Sequence, residues 1–144
     1  MCSSDLADYH GWVLRYDMQG TFKSLSSYAA FDASNIGGLA IRGYVGAVYD
    51  GGKYVYFVPY YYGGQHARVL RYDTSREFTS GSSWVAYDAG TTGGLITKGY
   101  IGGVYLNGYI YLAPYHDGSD YSGKVLRIKA MNTLSSLPAN FAAE

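Results

Sequence analysis

An all-β chain built from repeated four-stranded antiparallel units is the fold class this sequence predicts. Three observations predict it. A repeat runs along the chain: Val13-Leu14-Arg15-Tyr16-Asp17 returns 56 residues later as Val69-Leu70-Arg71-Tyr72-Asp73, and 56 residues after that as Val125-Leu126-Arg127-Ile128-Lys129. The composition is that of strands and turns, with 18 Tyr and 20 Gly against 3 Pro. No stretch shows a capped helical period, and the nearest one, 129–137, aligns with strand-and-turn segments of the other repeats.

The repeat extends well beyond its central motif. Gly43-Tyr44-Val45-Gly46 matches Gly99-Tyr100-Ile101-Gly102, Ala30-Phe31-Asp32-Ala33 matches Ala86-Tyr87-Asp88-Ala89, and Gly37-Gly38-Leu39 matches Gly93-Gly94-Leu95. Self-similarity of this extent marks a repeat architecture. In the complete unit, strand one is 44–49. Asp50-Gly51-Gly52 supplies the positive φ of a tight turn. Strand two is 53–59, where Val55, Phe57 and Pro59 alternate with Tyr54, Tyr56 and Val58. A loop over 60–68 leads to strand three at 69–73, and a polar turn leads to strand four at 84–88. The connection 89–98 is rich in Gly and Thr.

Four short strands per unit at this spacing point to the blades of a β-propeller. The pattern Val55-Tyr56, Val69, Tyr72-Asp73 and Trp84 resembles kelch-type repeats, with an apolar strand, a Tyr-Asp strand and a Trp strand. It recurs as Ile110-Tyr111 and Val125, with Ile128-Lys129 in place of Tyr-Asp. The chain departs from kelch where the Gly-Gly after strand two is replaced by Pro59-Tyr60 and Pro114-Tyr115, and in the Tyr-to-Trp spacing. The resemblance therefore implies kelch-like blades, and through them a wheel that serves as a binding scaffold.

The repeat phase divides the chain into a half blade at 7–38 holding strands three and four, a complete blade at 39–94 and a further blade at 95–144. About two and a half blades fall short of the four to eight that close a propeller, so an open or truncated wheel is expected, completed by further blades of the same chain or of other copies. Met1-Cys2-Ser3-Ser4-Asp5-Leu6 reads as a translated sequencing-adapter end, which sets residues 1–6 apart from the fold.

Charge and composition exclude several classes. Eleven Lys+Arg balance 11 Asp+Glu, unlike the basic face of a nucleic-acid binder. No apolar run reaches the roughly 20 residues of a membrane helix. Cys2 is the single cysteine, so no disulfide framework forms. Phosphate loops, zinc-spaced His pairs, nucleophile elbows and calcium loops are missing, and no cofactor or metal site is expected. The compartment stays open, an extracellular setting included.

The polar residues common to the repeats read as architecture. Arg15, Arg71 and Arg127 share one position, and Asp17 and Asp73 lie two residues on. Asp32 and Asp88 end strand four, where an Asx-turn would hold the backbone. An Arg–Asp tie between strands is expected, and a ring of Arg binding an anion is its functional counterpart. Arg42 and Lys98 read as solvated. His10 and His66 are repeat-equivalent, and each reads as donating to a backbone carbonyl. Candidate ligand contacts gather in the loops after strand two: Tyr60, Tyr61, Tyr62 and His66 in one repeat, and Tyr115, His116, Asp117, Asp120 and Tyr121 in the next. These loops differ most between repeats, and flat aromatics beside Asp and His suit sugar rings and their hydroxyls. The expected function is a non-enzymatic module that binds a carbohydrate or a protein through these loops. An enzyme whose catalytic groups lie in other blades and a repetitive structural surface protein are the alternatives.

Overall fold

The computed structural model describes residues 9–130 and the backbone of 141–143. Residues 1–6 and most of 129–137 lie outside that range. The fold is all-β. A two-stranded antiparallel sheet comes first, β1 (Trp12–Tyr16) with β2 (Tyr28–Asp32), followed by a small hairpin of β3 (Asn35–Ile36) and β4 (Leu39–Ala40). A four-stranded meander follows: β5 (Tyr44–Tyr49), β6 (Tyr54–Pro59), β7 (Arg68–Asp73) and β8 (Trp84–Asp88). The second meander has β9 (Tyr100–Leu106), β10 (Tyr109–Pro114), β11 (Leu126–Lys129) and β12 (Phe141–Ala143). Among the described residues no helix is long and apolar enough to cross a membrane.

The repeat shows directly in strand register. Leu14 faces Ala30 across β1 and β2, and Leu70 faces Ala86 across β7 and β8. The third unit slips by one residue, since Leu126 faces Ala143, not Ala142. Gly37 and Gly38, at φ 64° and 75°, make the two-residue turn between β3 and β4. Gly93 and Gly94 adopt the same angles in a short 3-10 turn.

The three sheets pack face to face, with β5–β8 as the middle layer. Its first face sets Leu70, Tyr72, Phe78 and Trp84 against Val13, Ala29 and Phe31 of β1 and β2. Phe31 stacks on Trp84 with centroids 5.0 Å apart and planes 11° from parallel. The other face sets Tyr54, Tyr56, Val58 and Val69 against Ile110, Leu112, Leu126 and Ile128 of β10 and β11. Burying each such side chain contributes about 1.5–3 kcal/mol. Strand β7 is covered on both faces, so it is buried at every residue from Val69 to Asp73.

That burial corrects the expected tie through Arg71; the Arg–Asp tie between strands runs instead from Arg68 to Asp88, across β7 and β8, at 3.8 Å. The Arg71 guanidinium is 2% exposed and lies 4.3 Å over the Tyr54 ring. Its nitrogens find no hydrogen-bond acceptor among the described residues. Asp73 pairs instead with Lys53 at 2.9 Å and Arg76 at 3.4 Å. Arg15 lies 4.7 Å over Phe78 and Arg127 lies 4.9 Å over Tyr109. The repeated Arg therefore meets an aromatic ring in all three units, and Arg71, sealed between sheets, lines no anion site. The Asp positions do make Asx-turns. Asp17 accepts from Gln19 N at 2.9 Å, Asp32 from Ser34 N at 2.9 Å, Asp73 from Ser75 N at 3.0 Å and Asp88 from Gly90 N at 3.0 Å. Hydrogen bonds from Ser34 hold the Asp32 carboxyl below its ordinary pKa.

Candidate functional site

The loops after β6 and β10 leave the sheets at the same end, and both are anchored by a glycine at the start of a strand. The Gly43 carbonyl accepts from the N–H groups of Tyr60 and Tyr61 at 3.1 and 3.2 Å. The Gly99 carbonyl accepts from Tyr115 and His116 at 3.0 and 3.4 Å. Both glycines have φ near +70°. A Cβ at Gly43 would meet the Tyr61 carbonyl oxygen at 1.7 Å, and one at Gly99 the His116 oxygen at 1.8 Å. No other residue admits the loop backbone this close. The Gly99 N–H also donates to the His66 carbonyl at 3.1 Å, which ties the second loop's anchor to the first loop.

The consequence is a continuous aromatic row across successive repeats. Tyr9 meets Tyr61 at 5.6 Å between centroids, Tyr61 meets Tyr60 at 6.3 Å, and Tyr60 meets Tyr115 at 6.2 Å. Tyr115 then meets Tyr121 at 5.5 Å, and Tyr121 meets His116 at 5.6 Å. All of these spacings fall within the range of aromatic pairs. The Tyr121 phenol beside it raises the pKa of Tyr115, so Tyr115 stays a neutral hydroxyl that donates and accepts.

Carboxylates flank one end of the row. Asp117 accepts from the N–H groups of Ser119 and Asp120 at 3.0 and 3.1 Å, and pairs with Lys124 at 3.1 Å. These bonds pull its pKa down to about 2. Asp117 thereby shapes the loop. Asp120 is exposed, and one of its oxygens accepts from Tyr121 N at 2.7 Å.

Two expected contacts lie off the row. His66 is 4% exposed and packs edge-on to Tyr44 at 6.1 Å. Its Nδ1 accepts from Arg68 N at 3.2 Å, which leaves Nε2–H to donate to the Arg42 carbonyl at 2.8 Å. Burial presses its pKa down to about 4. The ring is a strut under the loop. Tyr62 turns toward Arg42, whose guanidinium lies 5.0 Å over the ring and donates to the phenol oxygen at 3.2 Å. Arg42 is therefore a packing residue and not a solvated one. Tyr9 is the member of the row that sequence reasoning missed. Its repeat position holds Gln65, so the repeat carried no signal for it.

No family model, curated protein or solved structure matches this chain.

Proposed function

We propose that the protein is a non-enzymatic carbohydrate-binding module, its sheets acting as successive kelch-like propeller blades and its aromatic row as the binding surface. The joining of two loops from successive repeats into one row, through Tyr60 and Tyr115, carries this reading. Flat rings offer apolar area to the faces of sugar rings, while the phenols, His116 and Asp120 at the same surface suit hydroxyls, which both donate and accept. A proline-rich peptide also favours aromatic grooves, but it brings few donors to meet the carboxylate.

The reading is tested on a glycan array with the full chain and the double variant Tyr60→Ala/Tyr115→Ala. Binding to a set of oligosaccharides, lost in the double variant while the far-UV circular dichroism spectrum is retained, supports it. A blank array, or equal binding by the variant, removes it.

A further inference from the structure

One packing rule stacks the sheets, and the rule leaves two faces bare. In each repeat the Val of the Val-Leu-Arg motif faces the sheet that follows, and the Leu faces the sheet that precedes. Val13 and Leu70 share the first seam. Val69 and Leu126 share the second. The series leaves Leu14 at one outer face and Val125 at the other. Leu14 is 67% exposed, against 1% for Leu70. Val125 lines a shallow apolar groove with Val104, Tyr111, Leu112 and Ala113.

The surface around Leu14 already has the geometry of a covered seam. In the middle sheet Tyr72 meets Phe78 at 5.4 Å and 88°, and Tyr72 meets Trp84 at 4.6 Å and 28°. In the first sheet the equivalent Tyr16 meets Phe22 at 5.6 Å and 84°, and Tyr16 meets Tyr28 at 5.0 Å and 33°. The middle triad is covered by Phe31 and Arg15. The first triad is bare, and Phe22 is 70% exposed where Phe78 is 2%. On the opposite side, Tyr111 and Ala113 hold the repeat positions of Tyr56 and Val58, which are buried in the second seam. The bare face of β1–β2 thus repeats the receiving side of the first seam, and the bare face beside β10 repeats the presenting side of the second.

We propose that a second copy of this chain docks head to tail, the outer face of β9–β12 on the outer face of β1–β2 of the next, with Val125 against Leu14. The two surfaces differ, so the contact is heterologous and adds copies until a ring closes or a filament grows. It uses the sheet faces and not the loop end, and it stands apart from the carbohydrate reading.

Sedimentation velocity on the full chain over a range of concentrations tests it. The native chain is expected to form assemblies that grow with concentration. Leu14→Glu and Val125→Glu, each checked by far-UV circular dichroism, are expected to be monomeric alone. Mixed in equal amounts they should give a dimer and nothing larger, because each keeps the face the other has lost. A native chain monomeric at every concentration, single variants that still assemble, or a mixture that stays monomeric would each overturn the proposal.

Discussion

Tyr60 and Tyr115 occupy the same position in successive repeats, and their rings lie 6.2 Å apart at 47°. Packed sheets are spaced at about 10 Å, so the two loops bring these rings closer together than the sheets that carry them. The contact turns a repeated residue into one continuous surface. Replacing either tyrosine with Ala should weaken oligosaccharide binding about tenfold, which is about 1.4 kcal/mol. Tyr16→Ala, on the sheet face away from the row, should leave affinity unchanged. Titration calorimetry against an oligosaccharide bound by the native chain reads both.

Gly99→Ala should damage the second loop. The substitution places a Cβ 1.8 Å from the His116 oxygen and asks an L-residue to hold φ 71°. The left-handed angle alone costs about 1–2 kcal/mol, and the overlap adds to it. Stability in urea should fall by about 2 kcal/mol or more, with loss of ligand binding. Gly81→Ala, which meets open space at an ordinary φ, is the control expected to change neither.

Arg71→Met should be tolerated or stabilising. The guanidinium is sealed between two sheets, 4.3 Å from the Tyr54 ring and 6.0 Å from the Tyr56 ring, and such a cation–π contact is worth about 2 kcal/mol at best. Desolvating a charge without hydrogen-bond acceptors costs at least as much. Methionine keeps the length and removes the charge. The expected change in unfolding free energy is between zero and about 1 kcal/mol in favour of Met. Tyr54→Ala, which opens a cavity in the same seam, should cost about 3 kcal/mol. Urea unfolding separates the two.

Stability should fall on acidification through His66. Its pKa is near 6.5 in the unfolded chain and about 4 in the fold, because burial disfavours the imidazolium. The folded value is the lower one, so this contribution is fully present above pH 6.5. It declines as pH falls toward 4 and is lost below. The integrated loss is on the order of 3 kcal/mol. His66→Gln, which keeps a donor for the Arg42 carbonyl, should flatten that part of the profile in urea unfolding measured from pH 7 to pH 4.

Some of this molecule is legible in its sequence and some is not, for physical reasons. Strand four at 84–88 and strand one at 44–49 are read to the residue, because apolar alternation and turn chemistry bound them locally. The Asx-turns at Asp32 and Asp88 are local too. The surroundings of Arg71 are not, since which face of β7 meets another sheet depends on stacking far away in the chain. Arg42 reads as solvated because its partner, Tyr62, is 20 residues away and reaches it through the path of a loop. The candidate tyrosines could be chosen by their loops, but their joining into a row rests on Gly43 and Gly99, whose close approach to those loops appears only in three dimensions.

Aromatic carbon–proton NMR spectra of the full chain, recorded while cellohexaose is added, test the central claim most directly. The aromatic row predicts shifts at Tyr60, Tyr61, Tyr115, Tyr121 and His116, with Tyr16, Tyr28 and Trp84 unmoved. Shifts confined to Tyr16 and Tyr28, or a spectrum unchanged by this and by every oligosaccharide offered, would contradict it.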